Sequence, residues 1–191
     1  MSNLKGSETE KNLLKSFAGE SQARNRYTFF ASVAKKEGYE QIAGIFIETA
    51  GNEKEHAEVF FKHLLGGMVE ITAEYPAGKI GGTAENLLAA AEGEKLEWDT
   101  LYPGFEETAR EEGLMDVAES FEEIAEAEER HEKRFRKLLD NVVKDTVFKR
   151  DEIIPWKCRN CGYVHVGKEP PQECPACKHP QSYYELLAEN Y

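Results

Sequence analysis

No long apolar run breaks this chain: 31% of its 191 residues are charged and the mean hydropathy is −0.62, so no membrane-spanning segment is expected. The opening Met1-Ser2-Asn3-Leu4-Lys5-Gly6 lacks the apolar stretch of a secretion signal, which makes a cytoplasmic protein the expectation. Cysteine is scarce. All four cysteines lie within residues 158–177, in two Cys-x-x-Cys pairs, and none is left for a disulfide framework. Positive charge is also short, with 24 Lys and Arg against 36 Asp and Glu. A net charge of −12 argues against nucleic acid or an anionic membrane surface as a partner.

What the chain does have is acid and imidazole where apolar residues should stand. One predicted helix carries the stripe Ile42, Phe46, Thr49, Glu53, His56, Phe60 and Leu64, and another carries Val117, Phe121, Ile124, Glu128, His131, Phe135 and Leu138. Each holds a Glu-x-x-His pair, Glu53 with His56 and Glu128 with His131, at the i, i+3 spacing that shares a helix face. Two further helices each place a lone glutamate on their stripe: Glu20 after Leu13 and Phe17, and Glu94 after Leu87 and Ala90. One Glu-x-x-His pair alone would be an ordinary surface feature. Two in register, joined by two lone glutamates, form the ligand set of a carboxylate-bridged dimetal site in a four-helix bundle. A bare buried carboxylate costs several kcal/mol, so a cation or a proton is required there.

The organisation agrees. Residues 4–36 and 40–65 read as a helical hairpin turned at Glu37-Gly38-Tyr39, and residues 83–112 and 115–142 as a second, turned at Glu112-Gly113-Leu114. The glycine-rich stretch from Gly66 to Gly82, with Pro76, reads as the long crossover of a ferritin-like bundle. The hairpins align with each other at an offset of about 75 residues, pairing Gly38 with Gly113, Glu53 with Glu128 and His56 with His131. Glu20 and Glu94 align one residue short of that offset, while Tyr27 and Tyr102 meet it. The third helix must therefore absorb one extra residue between Glu94 and Tyr102, and a π-bulge just ahead of Pro103 is the expectation. The alternative is a helix that breaks at Tyr102-Pro103. The expected domains are a bundle over 1–145, a linker over 146–156 and a small metal-ribbon domain over 157–191, which is too short to fold on an apolar core alone.

In the bundle, Glu53 and Glu128 are the natural bridges between two ions, His56 and His131 bind one each, and Glu20 and Glu94 cap the ends. Glu97, i+3 from Glu94, offers a fifth carboxylate. An anionic oxygen is worth more to an oxidised pair and a neutral imidazole to a ferrous ion, so one iron is expected to shift between His56 when reduced and Glu97 when oxidised. The alternative places Glu97 behind the ligands or in solvent. The hydroxyls of Tyr27 and Tyr102 are positioned to reach ligand carboxylates or simply to pack in the core. His63 continues no ligand spacing and is expected to face solvent. In the tail, Cys158, Cys161, Cys174 and Cys177 form two knuckles that suit a tetrahedral zinc or a single iron equally well. His165 and His179 are expected at the surface.

Taken together, Phe17-Ala18-Gly19-Glu20-Ser21-Gln22-Ala23-Arg24, the two Glu-x-x-His pairs, Gly93-Glu94 with Glu97, and the Cys-x-x-Cys-Gly-Tyr knuckle with Cys-Pro-x-Cys resemble the rubrerythrin family over essentially the whole chain. That resemblance implies a ferritin-like di-iron bundle with a rubredoxin-like domain that reduces hydrogen peroxide to water. Electrons would come from rubredoxin or an NAD(P)H-dependent reductase, through the four-cysteine iron, to the di-iron centre. It also implies the bridging roles, the Glu97/His56 exchange and a homodimer in which one subunit's tail iron serves the other's di-iron site. A ferroxidase or iron-storage protein is the competing function, although it has no use for the cysteine tail or a fifth glutamate. A di-iron oxygenase would need an apolar substrate pocket, which a sequence cannot show.

Overall fold

The computed structural model describes residues 4–190; the opening Met1-Ser2-Asn3 and the final Tyr191 lie outside the described residues. Two helical hairpins make a four-helix bundle of ferritin-like fold. The first consists of α1 (Glu8–Lys36) and α2 (Glu40–His63). The second consists of α3 (Thr83–Leu96), a π-helical turn over Glu97–Leu101, α4 (Tyr102–Glu111) and α5 (Met115–Val143). Residues 64–82 run between them without regular structure, as the long crossover requires. The first helix starts at Glu8, later than its apolar pattern suggests, because Ser7 caps it by accepting from the Glu10 amide.

Both hairpins turn in the same way. Gly38 and Gly113 have φ of 87° and 73°, a left-handed conformation that costs glycine nothing. The following residues close the turn with matching bonds, Tyr39 N to Ala34 O and Leu114 N to Ala109 O, each 2.8 Å. The residue before each glycine then reaches across to the other hairpin. Glu37 accepts from the Thr83 amide at 2.9 Å, and Glu112 accepts from the Glu8 and Thr9 amides at 3.0 Å. Each hairpin thus satisfies free N–H groups at the other's starting helix.

The extra residue of the third helix is taken up in the π-helical turn, where the Tyr102 amide bonds to Glu97 O, five residues back. The helix continues through Pro103 and does not break, since proline sits in the first turn of α4 where its missing N–H is least costly. One apolar cluster gathers around Tyr27, Phe30, Phe46 and Phe135, and a second around Tyr102, Phe60 and Phe121. The acidic layer lies between them.

Beyond α5 the tail forms a three-stranded antiparallel sheet of β1 (Ile154–Cys158), β2 (Val164–Gly167) and β3 (Tyr184–Leu186), ordered β2-β1-β3. Its small core consists of Trp156, Cys158, Cys174 and Tyr184. It packs against the first turns of α2: Gly38 lies beside Ser182, Arg159 covers Gly44, and Tyr39 stacks on Phe148. Among the described residues no helix is long and apolar enough to cross a membrane.

Candidate metal centre

Glu20, Glu53, Glu94 and Glu128 are all 0% exposed, each brought to one level of the bundle by a different helix. Their ligand atoms form two groups, Glu20 with Glu53, His56 and Glu128, and Glu94 with Glu53, His131 and Glu128; within each, all four atoms lie within 4.8 Å of one another. Glu53 and Glu128 belong to both. Their oxygens are divided between the two imidazoles: Glu128 places Oε1 2.7 Å from His56 Nδ1 and Oε2 2.6 Å from His131 Nδ1. Glu53 places Oε2 3.1 Å from His56 Nδ1 and Oε1 3.3 Å from His131 Nδ1. Each of these two carboxylates thus offers one oxygen to each donor group.

The electrostatics shows what this layer lacks. Burial pushes the carboxyls of Glu20 and Glu94 well above the ordinary carboxylate range, and the charges of the neighbouring glutamates add to it. Burial acts the same way on Glu53, but hydrogen bonds from His131 and His56 outweigh it and hold that carboxyl low. Against their own burial, His56 is raised to about 10 and His131 to about 9 by hydrogen bonds to Glu128 and Glu53. Glu20 Oε2 and Glu94 Oε2 are buried with no hydrogen-bond partner among the described residues, while Glu53 Oε1 and Glu128 Oε1 meet only imidazole nitrogens. Unpaired buried carboxylate oxygens at the centre of two four-donor groups fit a pair of cations, and the carboxylate and imidazole donors suit iron.

The two buried tyrosines hold the capping glutamates crosswise. Tyr27 donates to Glu94 Oε1 at 2.6 Å, and Tyr102 donates to Glu20 Oε1. Each therefore serves the carboxylate of the other hairpin, not the one on its own stripe. Burial, then the adjacent carboxylate, raises both phenols well above the usual range, so both remain donors. Glu97 lies in neither four-donor group. It is half-buried beside them, with Oε1 3.8 Å from where a Cβ on Gly19 would stand, and burial followed by the charges of Glu128 and Glu53 raises its carboxyl to about 8.

Some of this was not visible in the sequence. Trp98 in the π-helical turn donates to Glu132 at 2.7 Å, and Arg136 grips the other oxygen of Glu132 at 2.6 Å, tying the turn to α5. Arg134 donates to Thr49, the polar residue of the α2 stripe, at 2.6 Å. His63 does not face open solvent: it is half-buried, with Nε2 2.9 Å from Ser120 Oγ on α5.

In the tail, all four cysteine sulfurs lie within 4.8 Å of one another, with Cys158 to Cys177 at 3.8 Å and Cys161 to Cys174 at 3.7 Å. These spacings are far too long for a disulfide, and match the roughly 3.8 Å edge of a tetrahedron whose metal–sulfur bonds are about 2.3 Å. A hydrogen bond from the His179 backbone amide helps hold the Cys177 thiol at about 6, favouring the thiolate that a metal needs. His165 and His179 are half-buried, and His179 packs edge-on against Tyr183 and stays out of the sulfur group.

Comparison with known proteins agrees with this geometry. The family model described as Rubrerythrin matches residues 11–139, and that described as Rubrerythrin, rubredoxin-like domain matches residues 156–185. The rubrerythrin of Porphyromonas gingivalis is 63% identical over 188 residues, covering 98% of this chain and 94% of its own. That of Nitratidesulfovibrio vulgaris is 53% identical over 191 residues and covers the whole of both chains. Among solved structures, nigerythrin in its fully reduced, all-ferrous state superposes with a TM-score of 0.63 at 31% identity, over 95% of this chain and 87% of that one. Because the two matched segments take in both donor groups of the bundle and all four cysteines, and the similarity runs nearly end to end, the chain belongs to the rubrerythrin family.

Proposed function

We propose that this protein is a peroxidase that reduces hydrogen peroxide to water at a di-iron centre in the bundle, refilled with electrons through an iron held by Cys158, Cys161, Cys174 and Cys177. Glu53 and Glu128 would bridge the pair, Glu20 and His56 would complete one ion, and Glu94 and His131 the other. When bound, two adjacent ferrous ions supply the two electrons that O–O cleavage requires. The chain's own residues do the rest. Tyr27 and Tyr102 fix the capping carboxylates by hydrogen bonds and keep their protons. Glu97, poised outside both donor groups while His56 is inside one, supports the exchange in which the carboxylate replaces the imidazole on oxidation. The two apolar clusters exclude water above and below the layer.

The observation that carries this reading is the combination of Glu97 beside the paired donor groups with a four-thiolate site in the same chain. A ferroxidase or storage protein has no role for either feature, and that alternative is not favoured. The tail packs at the start of α2, and Gly44, the helix residue it covers, is about 14 Å of helix from Glu53. Delivery of electrons from the tail of a second copy, in a homodimer, with rubredoxin or an NAD(P)H-dependent reductase as donor, is part of the same proposal and rests on the family resemblance. The test compares peroxide turnover with O₂-driven iron uptake by the purified protein. About three irons per chain with a red, bleachable chromophore and peroxide turnover is the expected result; iron uptake without peroxide turnover would refute the proposal.

A further inference from the structure

The crossover does more than connect the hairpins. Together with α1 and the π-helical turn it lines a partly open cavity of about 430 Å³, with Ser16, Gly19, Tyr75, Glu97, Leu101 and Phe105 among its walls. Its inner wall is the edge of the acidic layer: Glu97 lines it, and Tyr102, whose hydroxyl holds Glu20, closes it. Tyr75 is fixed there by its hydrogen bond to Lys15 O at 2.8 Å. Gly19 separates Tyr75 from Glu97, since a Cβ at that position would lie 3.7 Å from the Tyr75 ring and 3.8 Å from Glu97 Oε1.

Hydrogen peroxide does not need this space. The cavity exceeds by more than tenfold the roughly 30 Å³ that a water occupies in the liquid, and its volume falls in the range of small-molecule sites, about 300–1,000 Å³. Its walls are mostly apolar but include the charged side chains of Lys15, Arg26, Glu74 and Glu97, and one polar group there has no partner: Ser16, 4% exposed and one helical turn before Glu20, has a buried hydroxyl without a hydrogen-bond partner among the described residues. A mostly apolar cavity with an unpartnered hydroxyl and cationic side chains on its walls, at the edge of a site for O–O reduction, suits a molecule with an apolar body and an oxygen head.

Resting on the peroxidase reading above, we propose that this cavity binds organic hydroperoxides, with the apolar substituent against Leu101 and Phe105 and the Ser16 hydroxyl bonded to a substrate oxygen. The change balances: the O–O bond of ROOH breaks, and two protons with the two electrons otherwise given to hydrogen peroxide yield ROH and water.

The test uses the iron-loaded full chain with cumene hydroperoxide, hydrogen peroxide, and cumyl alcohol as an unreactive probe. Cumyl alcohol should bind the resting protein, seen by calorimetry, and compete with cumene hydroperoxide. Gly19→Val, which fills the gap between Tyr75 and Glu97, should lower the ratio of cumene hydroperoxide to hydrogen peroxide turnover about tenfold or more, and weaken cumyl alcohol in parallel. Ser16→Ala, which removes only a hydroxyl, should raise KM for cumene hydroperoxide about fivefold with kcat little changed. No binding of cumyl alcohol, or a turnover ratio that neither variant moves, overturns the proposal while leaving hydrogen peroxide reduction standing. Binding of cumyl alcohol without reduction of either peroxide would instead refute the peroxidase reading. Hydroxylation of cumene by O₂ would overturn the proposal by giving the cavity to an oxygenase substrate.

Discussion

Replacing Glu97 with glutamine tests the acidic layer through its protons. In the metal-free chain, burial and then the charges of Glu128 and Glu53 raise the Glu97 carboxyl from 4.5 to about 8. A carboxyl raised in this way keeps a proton that the unfolded chain has already released. The stability it contributes is therefore complete below the unfolded value and is lost as pH rises through the folded one. Each such proton changes the unfolding free energy by about 1.4 kcal/mol per pH unit. Across this window, discounted because Glu97 is partly exposed to the cavity, the loss comes to about 2–4 kcal/mol. Glutamine keeps the shape and has no proton to lose. Urea titrations of the chelator-stripped wild type and Glu97→Gln at pH about 5, 6.5 and 8.5 should show the variant gaining by that amount relative to wild type as pH rises. Subtraction removes the titrations common to both proteins, those of His56, His131 and the tail cysteines among them. A difference that stays flat over this range, or that moves toward wild type, would make Glu97 an ordinary surface acid and remove it from the layer.

Tyr27→Phe should cost about 1–3 kcal/mol of unfolding free energy, measured by urea titration, because Glu94 loses a buried donor while the ring keeps its place against Phe46 and Phe135. Glu112→Ala frees two amides at the start of α1 and should cost about 1–2 kcal/mol. Because hydrogen bonds to Thr9 and Glu8 outweigh burial and hold the Glu112 carboxyl low, its contribution should be present above the ordinary carboxylate value and fade as pH falls through the folded one, which the same titration repeated in acid would detect. Cys158→Ser should abolish tail metal and amide-exchange protection across β1, β2 and β3 while leaving the helical circular dichroism unchanged. Persistence of that protection without metal would show that Trp156 and Tyr184 suffice as a core.

The acidic layer was legible because it violates the pattern around it. Glu53 and Glu128 stand where a period of 3.6 demands apolar residues, and the fold places both at 0% exposure. The π-helical turn was legible by arithmetic, since Tyr102 keeps the hairpin offset and Glu94 does not. Contacts that depend on the angle between helices were hidden. Spacing put Tyr27 two turns along the same face as Glu20, yet packing turns its hydroxyl toward Glu94. Nothing in the spacing of Trp98 and Glu132, on different helices and both able to face solvent, announces their bond. The cavity is hidden for a related reason: it is bounded by the irregular segment around Tyr75, whose path no periodicity describes.

The near symmetry of the hairpins shows where this bundle differs from a plain dimetal box. The cross-hairpin tyrosine bonds, the reciprocal caps from Glu37 and Glu112 and the shared oxygens of Glu53 and Glu128 all occur as matched pairs. The third helix is where the match fails. Three residues after Glu20, α1 carries Ala23, buried and inert; three residues after Glu94, the chain carries Glu97 and enters the π-helical turn. A π turn gives up regular i to i−4 bonding and persists where something nearby holds it, and here the Trp98–Glu132–Arg136 chain does so. Loosening that chain should therefore disturb Glu97 before it disturbs the bundle. In Trp98→Phe, the pH-dependent stability difference assigned above to Glu97 should shrink while the circular dichroism stays helical. If the slope survives intact, Glu97 is placed by α3 alone and the widened turn serves only to restore the register of Tyr102.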